Sequence, residues 1–70
     1  MRVKELIEKL EQLDPDLHVM VSGYEGGYHD VEVSPVRRFK FYQNSAWWYG
    51  PHEIVESGGV EGIIIQPGKD

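Results

Sequence analysis

Seventy residues with a formal net charge of −5 and no cysteine read as one domain, with disulfides and thiolate metal sites excluded. Twelve acidic side chains against seven basic ones disfavour duplex DNA, whose binding rests on phosphate neutralisation. One core of this size rarely supplies more than roughly 3–5 kcal/mol, so close packing, oligomerisation or a carboxylate/imidazole metal site is needed beside it.

Charges interrupt Met1–Glu8 at once, unlike a signal peptide, and no apolar run is long enough to span a membrane. The cytoplasm is the expected location. Val3, Leu6, Ile7, Leu10 and Leu13 recur at helical spacing and form one apolar stripe over residues 2–13. The polar faces carry Lys4, Glu5, Glu8, Lys9, Glu11 and Gln12, more acidic than a membrane-surface helix requires. Asp14-Pro15-Asp16 stops the helix, with Pro15 suited to the second position of a turn. The short link predicts that the helix folds back across the sheet it feeds.

Leu17, Val19 and Val21 alternate with His18, Met20 and Ser22, and Val31 and Val33 alternate with Asp30, Glu32 and Ser34. Two strands joined through residues 23–29 make a hairpin whose Gly26-Gly27 turn needs positive φ. The second strand is expected to run on towards Tyr42. Pro35 lacks an N–H and predicts a bulge or bend that splits the run. Gln43-Asn44-Ser45 is a turn signal, and Ala46–Tyr49 has the composition of a short third strand. Residues 51–57 are open between one helical turn and a bent strand. Val60–Gln66 reads as the last strand; its apolar residues on both faces place it centrally in the sheet. Gln66–Asp70 reads as a frayed polar tail. The fold class expected for residues 1–70 is therefore α+β, one N-terminal helix packed on a mainly antiparallel three- to four-stranded sheet.

One helix covers one sheet face. The other would carry Met20, Val60, Ile64 and a tryptophan, more apolar surface than a soluble monomer exposes. Either residues 47–56 fold over it or a second chain does, and a homodimer is the expected answer.

The candidate sites follow from residue chemistry. Tyr24-Glu25-Gly26-Gly27-Tyr28-His29-Asp30 joins glycines with rigid, polar-tipped aromatics, the composition of a recognition loop; the plain alternative is a tight turn with tyrosines packed over strand edges. It lacks the glycine pattern and lysine of a phosphate cradle. Trp47 and Trp48 cannot both point inward from one strand, and aromatic anchors are common interface hot spots. Tyrosine 49 extends that segment. The binding residues expected are thus Tyr24, Glu25, Tyr28, His29, Trp47, Trp48 and Tyr49. Phe39–Tyr49 beside Arg37, Arg38 and Lys40 also has the aromatic and cationic content of a single-strand or nucleotide binder, without an RNP-type motif; a solvated strand edge explains the same cations. Nucleic acid is not the expected partner.

His29-Asp30 and His52-Glu53 would make a metal or acid–base site if the fold joined them, but no spacing in the chain demands it. Ser22, Ser34, Ser45 and Ser57 occur without a G-x-S-x-G context. A monomer of this length hardly has room for both a core and a cleft of some 300 Å³. No catalytic residue, metal or other cofactor is assigned, and the chain is read as a non-enzymatic protein-binding module.

Val3-x-Glu5-Leu6-Ile7-x-x-Leu10, Asp14-Pro15-Asp16 and Val19-x-Val21 together resemble the opening of short uncharacterised proteins from bacterial and bacteriophage genomes. The resemblance covers the first third of the chain. It implies a cytoplasmic α+β domain of bacterial or phage type, and it carries no site residue.

Overall fold

A computed structural model describes residues 1–68; Lys69 and Asp70, the end of the expected tail, lie outside the described residues. The elements are α1 (Val3–Leu10), β1 (Met20–Ser22), β2 (Tyr28–Val33), β3 (Arg37–Lys40), β4 (Glu53–Val55), β5 (Val60–Gly62) and β6 (Ile65–Pro67). The fold is α+β, with one N-terminal helix and antiparallel strand pairing. The strands form two three-stranded sheets, ordered β1-β2-β6 and β4-β3-β5, rather than one sheet.

At the start of α1 the Arg2 N–H donates to Glu5 Oε1 at 3.0 Å. A guanidinium offers no acceptor, so the reciprocal half of a capping box is missing. The last turn tightens, with Leu13 N–H donating to the Leu10 carbonyl at 3.0 Å. Asp14-Pro15-Asp16-Leu17 is the expected turn, closed by Leu17 N–H on the Asp14 carbonyl (3.2 Å) and by Asp16 N–H on Asp14 Oδ1 (2.9 Å). Strand pairing begins only at Met20, so residues 11–19 all serve as the link. It is longer than expected and does not draw the helix tightly onto a sheet. No Cα of α1 lies within 8 Å of a strand Cα, and Val3, Ile7, Leu10 and Leu13 stay about half exposed.

β2 and β3 together make the central strand of both sheets. Val33 stands opposite Ile65 and Arg37 opposite Gly62. Between these pairs Ser34 N–H donates to the Ile64 carbonyl (2.9 Å), and Ile64 N–H donates to Ser34 Oγ (2.8 Å). Pro35 and Val36 therefore oppose Ile63 alone, which is a β-bulge at the proline. Ser34, 7% exposed, is the buried polar residue at this joint, and its hydroxyl donates on to the Pro35 carbonyl.

The same register corrects the reading of the last strand. Residues 60–67 are divided into β5 and β6, and each lies at a sheet edge. The central place is held by residues 28–40, flanked on the other side by β1 and β4. Part of the expected tail is also ordered: Gln66 and Pro67 belong to β6, and Gly68 N–H donates to the Asp30 carbonyl at 2.8 Å.

Directly paired antiparallel residues share a face. In the first sheet Val21, His29, Val31, Val33 and Ile65 lie on one face; Met20, Ser22, Tyr28, Asp30, Glu32 and Gln66 lie on the other. In the second, Phe39, Ile54 and Val60, with Arg37 at the end of the row, lie opposite a face of Arg38, Lys40, Glu53, Val55 and Glu61. Each sheet is amphipathic, yet no hydrophobic residue among those described is buried. The chain exposes 6493 Å², against roughly 4,500 Å² for a compact monomer of 8.1 kDa. Its radius of gyration is 14.2 Å, where a compact domain of this length has about 11 Å.

Residues 51–57 resolve as the bent-strand alternative. β4 and β5 flank β3 on opposite sides, so residues 56–59 must cross over it. Arg38 Nε donates to the Gly58 carbonyl at 2.6 Å, which fixes the crossing on the Arg38 face. Gly58 and Gly59 have φ of 72° and 69°, and a Cβ on Gly59 would stand 2.3 Å from the Phe39 carbonyl oxygen. Gly59→Ala is therefore expected to destabilise the fold by about 2 kcal/mol or more. Gly50→Ala, where a Cβ meets open space, is expected to stay within about 0.5 kcal/mol. Urea unfolding of the two variants checks this.

Candidate functional site

The segment between β3 and β4 does not form the expected third strand. It is a loop with a bonded neck and a projecting tip. Lys40 and Glu53 stand opposite each other as the last strand pair. Beyond them Tyr42 N–H donates to His52 Nδ1 (3.1 Å), and Gln43 and Asn44 N–H both donate to the Pro51 carbonyl (2.7 and 3.1 Å). The half-buried Asn44 side chain donates from Nδ2 to the Gly50 carbonyl and to Glu53 Oε1, each at 2.8 Å. Tyr42 sits at φ 55°, a left-handed conformation that non-glycine residues adopt only when surrounding bonds hold it. The Phe41 and Tyr42 rings close on His52 with centroids 4.7 and 5.0 Å from its ring.

Tyr49 N–H donates to the Ala46 carbonyl at 3.2 Å, so Trp47 and Trp48 occupy the two central positions of a turn. That resolves the conflict of adjacent tryptophans: a turn can point both outward. Their rings meet edge to face at 5.6 Å and 86°, and they are 90% and 73% exposed. Tyr49 beside them is also exposed. The segment does not fold over a sheet face, so it does not supply the missing cover.

The second candidate patch is the β1–β2 turn. Gly23 N–H donates to the Gly27 carbonyl at 2.9 Å, and Gly26 and Gly27 take the expected positive φ. A Cβ on Gly23 would stand 2.4 Å from the Gly26 carbonyl oxygen, so the turn closes only around glycine. Tyr24 at the tip is 99% exposed and Tyr28 is 73% exposed; Glu25 is exposed as well. His29 is not part of this tip. It pairs with Val21 on the apolar sheet face and is half-buried.

The two tips adjoin opposite ends of the ribbon formed by residues 28–40, so they are two patches rather than one surface. The same separation keeps His29-Asp30 apart from His52-Glu53. Among the described residues no three His, Asp or Glu side chains gather to hold a metal ion. Arg38 is engaged with Gly58 and stands 3.9 Å from Glu61, and Lys40 stands opposite Glu53 in the strand register, so these cations have acids as neighbours.

Sequence reasoning missed the neck. Asn44, Pro51 and His52 act together only through the turn, and Asn44 within a turn signal was the one trace of it. It also missed an open groove of about 930 Å³ beside the neck, lined by Met1, Val3, Phe39, Phe41, His52 and Val60 among others. The groove does not conflict with the expectation that so short a chain lacks room for both a core and a cleft, because no hydrophobic residue among those described is buried into a core.

Comparison with protein families, curated proteins and solved structures gives no match. No helix among the described residues is long and apolar enough to cross a membrane.

The neck and tip have separable roles. Asn44→Ala removes two hydrogen bonds from a half-buried site and is expected to cost about 1–2 kcal/mol in thermal unfolding. Trp47→Ala alters a side chain that touches little besides Trp48 and is expected to change stability by less than about 0.5 kcal/mol.

Proposed function

We propose that the chain is a small non-enzymatic protein-interaction module that works as a homodimer and grips a protein partner through Trp47, Trp48 and Tyr49. Tyr24, Glu25 and Tyr28 form a second contact patch at the far end of the ribbon. The observation that carries this reading is the tryptophan pair, held out in solvent on a neck closed by five hydrogen bonds to residues 50–53. A rigid tip loses little conformational entropy on binding. Each indole has the area and the single polar N–H of a typical anchor. The opening of the chain, with its resemblance to bacterial and phage proteins, makes the cytoplasm of a bacterium the setting of this reading.

The test is quantitative capture from native bacterial lysate on immobilised chain. Wild type, Trp47→Ala/Trp48→Ala, Tyr24→Ala/Tyr28→Ala and an exposed helix control, Glu11→Gln, are compared. The tryptophan variant is expected to bind the captured species about 30-fold more weakly or worse, the size of a hot spot of roughly 2 kcal/mol, while the control matches wild type. Equal capture by all four overturns the reading. Quenching of tryptophan fluorescence by a single-stranded oligonucleotide at low salt would replace it with the single-strand binder built on Arg37, Arg38 and Lys40.

A further inference from the structure

Two apolar surfaces of this chain lie open without meeting each other. One is the α1 stripe, where Val3, Ile7 and Leu10 are each about half exposed. The other is the β1-β2-β6 face of Val21, Val31, Val33 and Ile65, with Val33 57% exposed. The α1 N-terminus lies instead across a groove from Phe39 and Val60 of the other sheet. Neither surface carries a formal charge. Asp30 and Glu32 project from the opposite face of the sheet, His29 is the ionisable side chain on the apolar face, and the helix charges lie off the stripe, so no carboxylate is buried by contact here.

The area indicates what covers them. The chain exposes about 2,000 Å² more than a compact monomer of its mass. A standard interface takes roughly 800 Å² from each partner, and obligate dimers take more. The excess is thus of the size that an obligate second copy removes, not that of a peptide or small ligand. Residues 11–19 are an open link with a turn at Pro15, which gives α1 the reach to leave its own sheets.

We propose that two copies exchange helices: α1 of each chain lies with its stripe on the apolar β1-β2-β6 face of the other. The exchange is isologous, so one contact is made twice and closes. It satisfies both open surfaces at once and leaves the Trp47/Trp48 tip free. This rests on the homodimer of the proposed function and names the surface that forms it.

The chain has no cysteine, so introduced thiols report cleanly. Sedimentation of the wild type at micromolar concentration is expected to show a dimer of about twice 8.1 kDa, and a strict monomer overturns the proposal without any variant. Ile7→Cys and Val33→Cys chains, checked for native circular dichroism, are mixed and treated with a short bis-maleimide. Cross-linked heterodimer is expected, with little product from either variant alone. In the Ile7→Cys/Val33→Cys double variant the expected product is a covalent dimer; a closed monomer shows the helix seated on its own sheet and overturns the exchange. Abundant homodimer from Val33→Cys alone shows sheet-on-sheet stacking and overturns it too. Trp47→Ala/Trp48→Ala is expected to remain dimeric. If that variant turns monomeric, the dimer forms at the tryptophan tip and the exchange is overturned. Unchanged lysate capture by a dimeric tryptophan variant would instead overturn the partner reading and leave the exchange standing.

Discussion

Each sheet of this protein has one apolar face, and an eight-residue helix is the only further layer among the described residues. That mismatch governs the rest. Period-two alternation separates valines and isoleucines from acids on the first sheet, and Phe39, Ile54 and Val60 from Arg38, Lys40, Glu53 and Glu61 on the second, where Arg37 alone of the paired charges stays on the Phe39 side. The separation is complete enough to make two good core faces. Among the described residues no second helix lies on them. The hydrophobic effect still acts on the exposed area, so the surplus surface is a driving force for association that the fold itself creates.

The bulge decides how that surface is arranged. Without the bulge at Pro35, period-two alternation would run unbroken from Tyr28 to Lys40 and force both sheets into one register. The extra residue shifts the register so that Arg37 meets Gly62, where no side chain competes, and Phe39 lies against the same glycine: a Cβ there would be 3.1 Å from its ring. Ser34 makes this possible because its hydroxyl takes the Ile64 N–H that the disturbed ladder would otherwise leave unbonded. One proline and one serine thereby turn a long ribbon into two amphipathic sheets.

Local features of this fold were legible in the sequence because they depend on neighbouring residues. The α1 stripe, the Asp14-Pro15-Asp16 turn, the positive φ at Gly26-Gly27 and the break at Pro35 all follow from backbone sterics or short periodicities. What was not legible depends on which strands pair. Ile63-Ile64-Ile65 reads as central because its residues are apolar on both faces, but position in a sheet is set by the partners of residues 28–40, and composition does not encode that. Trp47 and Trp48 read as strand because of β propensity, which measures packing on a pleated surface rather than a backbone preference; no such surface reaches them. Of the expected binding residues, Tyr24, Glu25 and Tyr28 lie exposed at the turn where loop chemistry placed them. His29 is not, since one step of strand alternation carries it to the face away from Tyr28.

The neck of the 41–52 loop and the strap at 56–59 show the same economy by different means. Each holds an irregular segment with backbone acceptors and a side-chain donor, Asn44 in one case and Arg38 in the other. The neck adds the packing of Phe41 and Tyr42 on His52, and neither segment buries a hydrophobic residue among those described. Rigidity at the tryptophan tip is therefore independent of whatever covers the sheets. A helix exchange that removes apolar surface at one end of the ribbon leaves the bonds around Asn44 and His52 untouched, so dimer formation and partner binding can occupy separate parts of the same small molecule. The two proposed roles meet at the bulge, because Ser34 fixes the joint between the sheet that offers the apolar face and the sheet that carries the tip.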